Sequence, residues 1–165
     1  MLREKSLFST RAEYGVRLMM LLARQYGDGP LPLARVAEIE ELPLSYLEQL
    51  AAPLRRDGLI RSQRGAQGGY ELARAPEFIT MGEVVRSLEG PIMPMMCAPE
   101  DEAHATCVRG EFCSAQVLWS RIRDAVTGVL DTTKLSDLAS PLAGRDTPGE
   151  RTPLLTINSR LEAAR

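Results

Sequence analysis

Residues 43–50 read Pro43-Leu44-Ser45-Tyr46-Leu47-Glu48-Gln49-Leu50, and they begin the second of two predicted short helices. The first of the two covers Leu33–Glu40, and the connector at 41–44 turns the chain between them. The second helix is predicted to start at Leu44 or Ser45 and to end near Gly58. Two short helices joined by a tight turn are typical of a helix-turn-helix motif, so this segment predicts a DNA-reading unit.

The second helix has two chemically different faces. One face is rich in leucine and is predicted to belong to the core: Leu47, Leu50 and Leu54. The opposite face carries Tyr46 and Gln49, whose side chains can bond to phosphate oxygens, and glutamine can also read an adenine edge in the major groove. The predicted DNA contacts of this helix are Ser45, Tyr46, Glu48 and Gln49.

A longer helix precedes this unit, and a hairpin follows it. Ser9 or Thr10 is predicted to cap a helix that runs to about Tyr26, where Gly-Asp-Gly-Pro at 27–30 stops it. Residues 59–63 and 70–73 are predicted as two strands around a glycine-rich turn, which makes a wing. The predicted fold class is mainly α: a winged helix-turn-helix DNA-binding domain plus a long C-terminal dimerisation helix.

The basic residues that DNA requires are concentrated in the wing region. The net charge of −2 gives no global signal for nucleic acid, so any basic surface must be local. Between residues 55 and 74 the chain carries Arg55, Arg56, Arg61, Arg64 and Arg74, against Asp57 and Glu71. Gly68 and Gly69 lack side chains that would keep the backbone from a phosphate or a groove. An ordinary solvated hairpin is the alternative, but together with the helix face the pattern favours double-stranded DNA as partner. The predicted contacts here are Arg55, Arg56, Arg61, Arg64, Gly68 and Gly69.

Composition favours a cytoplasmic protein. The longest apolar run, at 18–23, is far shorter than the ~20 residues of a membrane span. The N-terminus leads into no apolar stretch of signal-peptide length. We therefore expect no membrane partner and a reducing compartment, in which clustered thiols bind metal more often than they pair.

All of the cysteines fall between residues 97 and 113: Cys97, Cys107 and Cys113. Three thiolates leave one site of a tetrahedral metal centre unfilled, and the chain's single histidine, His104, lies in the same segment. Zinc fits three cysteines and a histidine on coordination grounds, so the spacing alone leaves the metal open. The nearby methionines are expected to pack against a neighbouring helix: Met93, Met95 and Met96.

Residues 115–130 are predicted as a helix with a wide apolar stripe: Trp119, Ile122, Val126 and Val129. Pairing with a symmetry mate would bury this stripe and set two recognition helices about one DNA turn apart. Packing within the subunit is the alternative. The predicted organisation is a DNA-binding domain at 1–80, a linker helix and cysteine loop at 81–114, a dimerisation helix at 115–140 and a flexible tail at 141–165.

Three stretches resemble the Rrf2 family of bacterial winged-helix regulators: residues 9–27, 43–50 and 64–70. The resemblance runs from about Leu7 to Leu138 and includes the cysteine loop and Leu118-Trp119. It implies a homodimer that binds a near-palindromic operator. It also implies one iron–sulfur cluster per subunit, [2Fe–2S] or [4Fe–4S], with Cys97, Cys107 and Cys113 as ligands.

The fourth ligand departs from the pattern of the iron–sulfur-assembly regulators in this family. Where those regulators have a histidine ligand shortly after the third cysteine, this chain has Gln116, a poor ligand for iron. The nitric-oxide-sensing branch uses an acidic residue from the first helix of the partner subunit, and alignment on Tyr14 places Glu13 there. The resemblance therefore implies Glu13 of the partner as fourth ligand, with His104 as runner-up. An ordinary solvated carboxylate is the alternative for Glu13, and an exposed loop histidine is the alternative for His104.

The resemblance implies a DNA-binding transcription regulator, expected to be a repressor, that senses iron–sulfur status, redox stress or nitric oxide. A hard oxygen ligand binds iron less tightly than a thiolate, which suits a cluster that must be lost on demand. The lone histidine has no evident nucleophile partner and there is no P-loop motif, so we predict that the protein is not an enzyme. The alternative is a cluster-free or zinc-stabilised regulator controlled by a partner protein or a small molecule.

Overall fold

The computed structural model describes residues 7–65, 68–101 and 113–139, so the predicted tail at 141–165 lies outside the described residues. Within this part the chain forms six α-helices, two strands and one short 3₁₀ helix at Pro76–Phe78. The α-helices are α1 Thr10–Arg24, α2 Leu33–Glu40, α3 Leu44–Arg56, α4 Met81–Glu89, α5 Ser114–Thr132 and α6 Leu135–Ala139. The strands are β1 Ile60–Gln63 and β2 Gly69–Leu72. Among these residues, no helix is long and apolar enough to cross a bilayer.

Helix α1 begins at the predicted cap. The Ser9 side chain accepts a hydrogen bond from the backbone N–H of Arg11, which satisfies a donor that the helix leaves free. Ser9 also donates from its backbone N–H to Glu89 at 2.7 Å, which ties the start of α1 to the end of α4. The two helices pack closely at Gly15, where a methyl group would overlap Leu88.

Helices α2 and α3 confirm the predicted helix-turn-helix. Helix α2 ends at Glu40 and is capped by Glu41, whose φ of 53° is left-handed, and the N–H of Leu42 donates to the carbonyl of Ala37 at 3.1 Å. Pro43 follows in an extended conformation and α3 starts directly after it. The turn is therefore set by local backbone chemistry, which is why the sequence predicted it.

The two strands form an antiparallel wing whose register runs from Ile60 opposite Leu72 to Gln63 opposite Gly69. The wing is anchored to the chain before α2 by two hydrogen bonds between Leu31 and Tyr70, at 2.8 and 2.9 Å. This anchor joins residues far apart in sequence, and no local pattern predicted it. The observed architecture is a winged helix, as predicted.

The core is shared by α1, α3, the wing and α4, and α6 also enters it. Leu18, Leu50 and Val84 have no solvent exposure, and neither does Leu135 of α6. The sequence analysis predicted one dimerisation segment at residues 115–140. In the structure α5 ends at Thr132, and a separate helix, α6, follows it. The N–H of Leu135 donates to the carbonyl of Ile79 at 2.9 Å, which returns α6 to the winged-helix core.

Candidate DNA-binding face and metal site

The predicted reading face of α3 is exposed except at one residue. Ser45, Glu48 and Gln49 are exposed, whereas Tyr46 is half-buried. The Tyr46 ring meets the Tyr14 ring edge-on, with centroids 6.1 Å apart and planes at 87°. Tyr46 is thus held by α1, whereas Ser45, Glu48 and Gln49 are exposed and each has a side chain that can bond to a base edge.

The five arginines of the wing region, four of which were predicted to contact DNA, fall into different environments. Arg61 pairs with Glu71 across the wing at 2.9 Å, and Arg56 pairs with Asp57 at 3.0 Å. The hydrogen bond from Arg56 is also the largest cause that lowers the pKa of Asp57. Arg55 and Arg64 are exposed and make no ion pair within the described residues. Arg56 and Arg61 are also exposed, at 73% and 66%, and surface ion pairs of this kind are weak, so all four side chains can reach a phosphate.

Arg74 belongs to the scaffold. Its Nε donates to the carbonyl of Phe78 at 2.9 Å, and its guanidinium pairs with Glu83 of α4. Glu83 also accepts from the N–H of Thr80, so the same carboxylate completes a capping box at the start of α4. This arginine fixes the wing to α4.

The wing glycines are needed by the fold itself. A methyl group on Gly68 would overlap the carbonyl of Gln63, and one on Gly69 would overlap the backbone of Leu31. The sequence predicted Gly68 and Gly69 as positions of close approach to DNA, and the structure shows a close approach between two parts of this chain. Residues 66 and 67, at the tip of the turn, lie outside the described residues.

Two of the cysteines are brought to the same end of α5. Cys113 is the residue that precedes α5, and Cys97 lies in the segment that follows α4. Gln116 connects them: its Nε2 donates to the carbonyl of Cys97 at 3.2 Å, and its backbone N–H donates to the carbonyl of Cys113 at 2.9 Å. Both thiols are free and half-buried. The sequence analysis had noted Gln116 only because it occupies the position of a histidine ligand in related regulators. In the structure Gln116 contacts the backbone of both cysteines.

The remaining ligand candidates of this loop, Cys107 and His104, lie outside the described residues. Among the residues that are described, no group of three or more His, Cys, Asp or Glu side chains could hold a metal ion. Of the predicted donor set, the structure therefore describes Cys97 and Cys113, whose backbone carbonyls both contact Gln116.

The expectation that the nearby methionines pack against a helix is wrong. Met93, Met95 and Met96 are 46%, 43% and 62% exposed. The reason is a turn in which the N–H of Ala98 donates to the carbonyl of Met95, so that Ile92 and Ala98 fill the inside of the segment.

Glu13 lies in the first turn of α1 and connects to the helix-turn-helix. Its carboxylate pairs with Arg17 at 2.9 Å, and Arg17 also pairs with Glu40 at the end of α2, at 3.3 Å. The Arg17 guanidinium stands 5.5 Å from the centroid of the Tyr14 ring, and Tyr14 contacts Tyr46 of α3. Glu13 is thus connected through Arg17 to Glu40 of α2, and through Arg17 and Tyr14 to Tyr46 of α3.

Glu13 also lines a largely apolar groove of about 570 Å³ between α1, α4 and the C-terminal end of α5. Val129 of α5 lines the same groove. Helical rise puts Val129 about 24 Å along the axis from Cys113. Glu13 of one chain is therefore at the opposite end of α5 from Cys113 of that chain.

Helix α5 buries none of its residues in the described part of the chain. Of the predicted stripe, Trp119, Ile122 and Val126 are half-buried and Val129 is 65% exposed. Val117 and Leu118, which the stripe did not include, are 58% and 54% exposed. The apolar surface of α5 is therefore wider than the sequence analysis predicted.

Comparison with known proteins decides the family. The profile named Rrf2, described as an iron-dependent transcriptional regulator, matches residues 8–141. The chain belongs to the Rrf2 family. Its relatives within the family are transcription regulators and not enzymes, as the sequence predicted.

Two groups of Rrf2 proteins are similar to this chain. The HTH-type transcriptional regulator CymR of Bacillus subtilis is 46% identical over 132 residues, which is 80% of this chain and 88% of CymR. IscR of Escherichia coli K12 strain DH10B is 32% identical over 143 residues, 87% of this chain and 86% of IscR.

The solved structures give the same picture. CymR, the global cysteine regulator of B. subtilis, has a TM-score of 0.69 and 44% identity, and the match covers 84% of this chain and 97% of that one. IscR of T. potens has a TM-score of 0.64 and 38% identity, covering 79% of this chain and 83% of that one.

Proposed function

We propose that this Rrf2-family transcription regulator binds operator DNA as a homodimer, acts as a repressor, and carries an iron–sulfur cluster held by Cys97, Cys107 and Cys113. The observation that supports this most directly is the Gln116 contact, which brings Cys97 and Cys113 to one end of α5. When bound, the cluster supplies chemistry that responds to iron–sulfur status, oxidants or nitric oxide.

The two thiols that the structure describes suit such a group. Cys97 and Cys113 are free thiols that keep contact with solvent, so they are open to assembly and to attack. Cys113 directly precedes α5, and the positive end of a helix dipole favours the negative charge of a thiolate-bound cluster. Gln116 orients the Cys97 backbone and is not itself a ligand in this scheme.

We propose Glu13 of the partner subunit as the fourth ligand. Glu13 of the same subunit is directed to the other end of α5, so a Glu13 ligand must come from a second copy. Its side chain is 55% exposed and is therefore free to face that copy. A homodimer would bury the apolar stripe of α5 in the same assembly.

The ion pairs of Glu13 give a route from ligand to DNA. Glu13 pairs with Arg17, so a Glu13 carboxylate that held a metal would share its charge between the metal and Arg17. Arg17 would then be left to interact with Glu40 of α2 and with Tyr14, which contacts Tyr46 of α3. A contact that exists in only one state supplies the difference in affinity that regulation needs.

Anaerobic purification of three cysteine variants tests the proposal. Cys97→Ala, Cys107→Ala and Cys113→Ala should each lose iron and the absorption near about 400 nm that iron–sulfur proteins show, while the dimer stays folded. Ser114→Ala, next to Cys113, is the matched control and should keep both. Full iron retention in two of the three cysteine variants would overturn the ligand assignment.

A second candidate function follows from the higher identity to CymR than to IscR, 46% against 32%. On this alternative the regulator is cluster-free or zinc-stabilised and is controlled by a partner protein or a small molecule. Operator affinity that is equal in iron-free protein and in all three cysteine variants would favour it.

A further inference from the structure

One arginine of α4 fastens the segment that carries Cys97. The Arg86 Nε lies 2.9 Å from both carboxylate oxygens of Glu100, and its Nη2 also contacts this carboxylate. Glu100 in turn accepts from the N–H of Ile92 at 3.0 Å and donates its own N–H to the Ile92 carbonyl at 3.1 Å. Residues 92–100 therefore form a loop whose two ends are joined by hydrogen bonds. Cys97 belongs to this segment, the Cys97 loop, and Arg86 binds the segment at Glu100.

The same guanidinium holds α5. Its Nη1 lies 2.6 Å from Asp131 Oδ1, and its Nη2 lies 2.9 Å from Asp131 Oδ2. Gly82, one turn earlier on α4, makes room for this pair, because a methyl group there would overlap the Asp131 carboxylate and the Arg86 guanidinium. Arg86 thus joins three parts of the chain: α4, the Cys97 loop and α5.

The charges make Arg86 the centre of this joint. Its side chain is 29% exposed, and that of Glu100 is 25% exposed. Hydrogen bonding to Arg86 is the largest cause that lowers the pKa of both Glu100 and Asp131, so both carboxyls are ionised near neutral pH. Without the arginine, two carboxylates would face each other with no cation between them.

Helix α5 makes two further hydrogen bonds to the Cys97 loop, and in each of them the acceptor is a backbone carbonyl oxygen. Arg123 Nη1 donates to the carbonyl of Pro99 at 2.8 Å, and Gln116 Nε2 donates to that of Cys97 at 3.2 Å. A hydrogen bond with an ionised donor or acceptor is about twice as strong as a neutral one, so the Arg123 bond is also charge-assisted. Arg86 is the contact in which both partners are charged, and it binds Glu100 and Asp131 through several hydrogen bonds at once, near the C-terminal end of α5.

We propose that Arg86 is a positioning residue for the metal site: by binding Glu100 and Asp131 together it holds the Cys97 loop on α5 and keeps Cys97 beside Cys113. The role as part of a metal site rests on the proposed function. The placement of the two thiols does not depend on the proposed function, and it can be measured in iron-free protein.

Thiol crosslinking measures this placement. Dibromobimane becomes fluorescent when it bridges two nearby thiols, and peptide mapping by mass spectrometry shows which two. In the iron-free full chain, Arg86→Met should lower the rate of Cys97–Cys113 crosslinking about tenfold, the change expected for losing a hydrogen bond between charged groups. Arg86→Lys keeps the charge but not the forked geometry, so it should restore part of the rate.

Arg74→Met is the matched control, because Arg74 also pairs with a glutamate of the α4 region but does not touch the loop. Its Cys97–Cys113 crosslinking should equal that of the parent. An unchanged rate in folded Arg86→Met, or an equal fall in Arg74→Met, would overturn the proposal. If Arg86→Met does not fold, Glu100→Gln decides: a slower crosslink supports the role and an unchanged one contradicts it.

The outcomes separate the two proposals. Crosslinking that depends on Arg86 in a protein that never binds iron would leave the positioning role standing and remove the cluster. If the parent binds iron but the crosslinking rate is the same with and without Arg86, the cluster stands and the positioning role of Arg86 is wrong.

Discussion

The winged-helix half of the chain buries its apolar residues, whereas helix α5 leaves its apolar residues partly exposed. In the winged-helix half, Leu18, Leu50 and Val84 are completely buried within one chain. Helix α5 has a comparable stripe over nineteen residues, yet none of them is buried and Val129 is 65% exposed. Water tolerates single exposed apolar residues but not a continuous stripe of this kind. From this contrast we predict that α5 meets another surface, whereas the winged-helix core buries its own apolar residues with help from Leu135 of α6.

The largest expected effect compares Leu135, which α6 contributes to the winged-helix core, with Leu118 of α5. Leu135→Ala should lower the free energy of unfolding by about 2–5 kcal/mol, because a fully buried side chain leaves a cavity. This loss should be the same at every protein concentration. Leu118→Ala, at a 54% exposed position of α5, should destabilise only at concentrations where two copies associate. Urea unfolding at two protein concentrations checks both, and a concentration-independent loss for Leu118→Ala would erase the contrast.

The second prediction concerns the assembly. Val129→Arg places a charge on the exposed stripe and should give a monomer by light scattering. Operator affinity should fall about 100-fold or more, because two linked half-site contacts become one. Phe78→Arg is the control, since Phe78 is 67% exposed but lies outside α5. A dimeric Val129→Arg with parental affinity would show that α5 is not the interface.

The third prediction sharpens the comparison on the winged-helix side, where the exposed face of α3 is polar. Gln49→Ala should cost about 1–3 kcal/mol of binding to operator and little on random DNA, because a base contact is lost. Arg64→Ala should weaken both and reduce the salt dependence by about one counterion. Fluorescence anisotropy at several salt concentrations separates the two patterns. Equal losses on operator and random DNA for Gln49→Ala would show that it does not read bases.

The smallest expected effect is at the junction between the two regions. Glu13→Ala should speed cluster loss in air several-fold, because one weak oxygen ligand is removed. Gln116→His, which sets an imidazole beside Cys97, should slow the loss and make a second change at Glu13 silent. The decay of visible absorption after exposure to air measures this. If His104→Ala strips the cluster while Glu13→Ala has no effect, the fourth ligand is His104.

Sequence predicted the features that depend on neighbouring residues. The Ser9 cap, the turn at Glu41 and the start of α3 after Pro43 all follow from local backbone chemistry, and all were found where predicted. The pairing of β1 with β2 was also predictable, because a short glycine-rich turn joins them.

Features that join distant residues were not predictable. The Leu31–Tyr70 anchor, the return of α6 to Ile79 and the link from Gln116 to Cys97 leave no periodic pattern in the sequence. The exposure of Met96 was missed for a related reason, since a turn and not hydrophobicity decides which side chains face inward. Single-chain patterns also could not show that Glu13 is tied through Arg17 to α2.

The central claim is that this regulator is an iron–sulfur protein whose cluster controls DNA binding. Iron, zinc and acid-labile sulfide analysis of the anaerobically purified chain, paired with operator binding before and after cluster removal, tests it most directly. We expect iron and sulfide in similar amounts in each subunit, and an operator affinity that changes when they are removed. Zinc without sulfide, or no metal at all, together with an unchanged operator affinity, would contradict it.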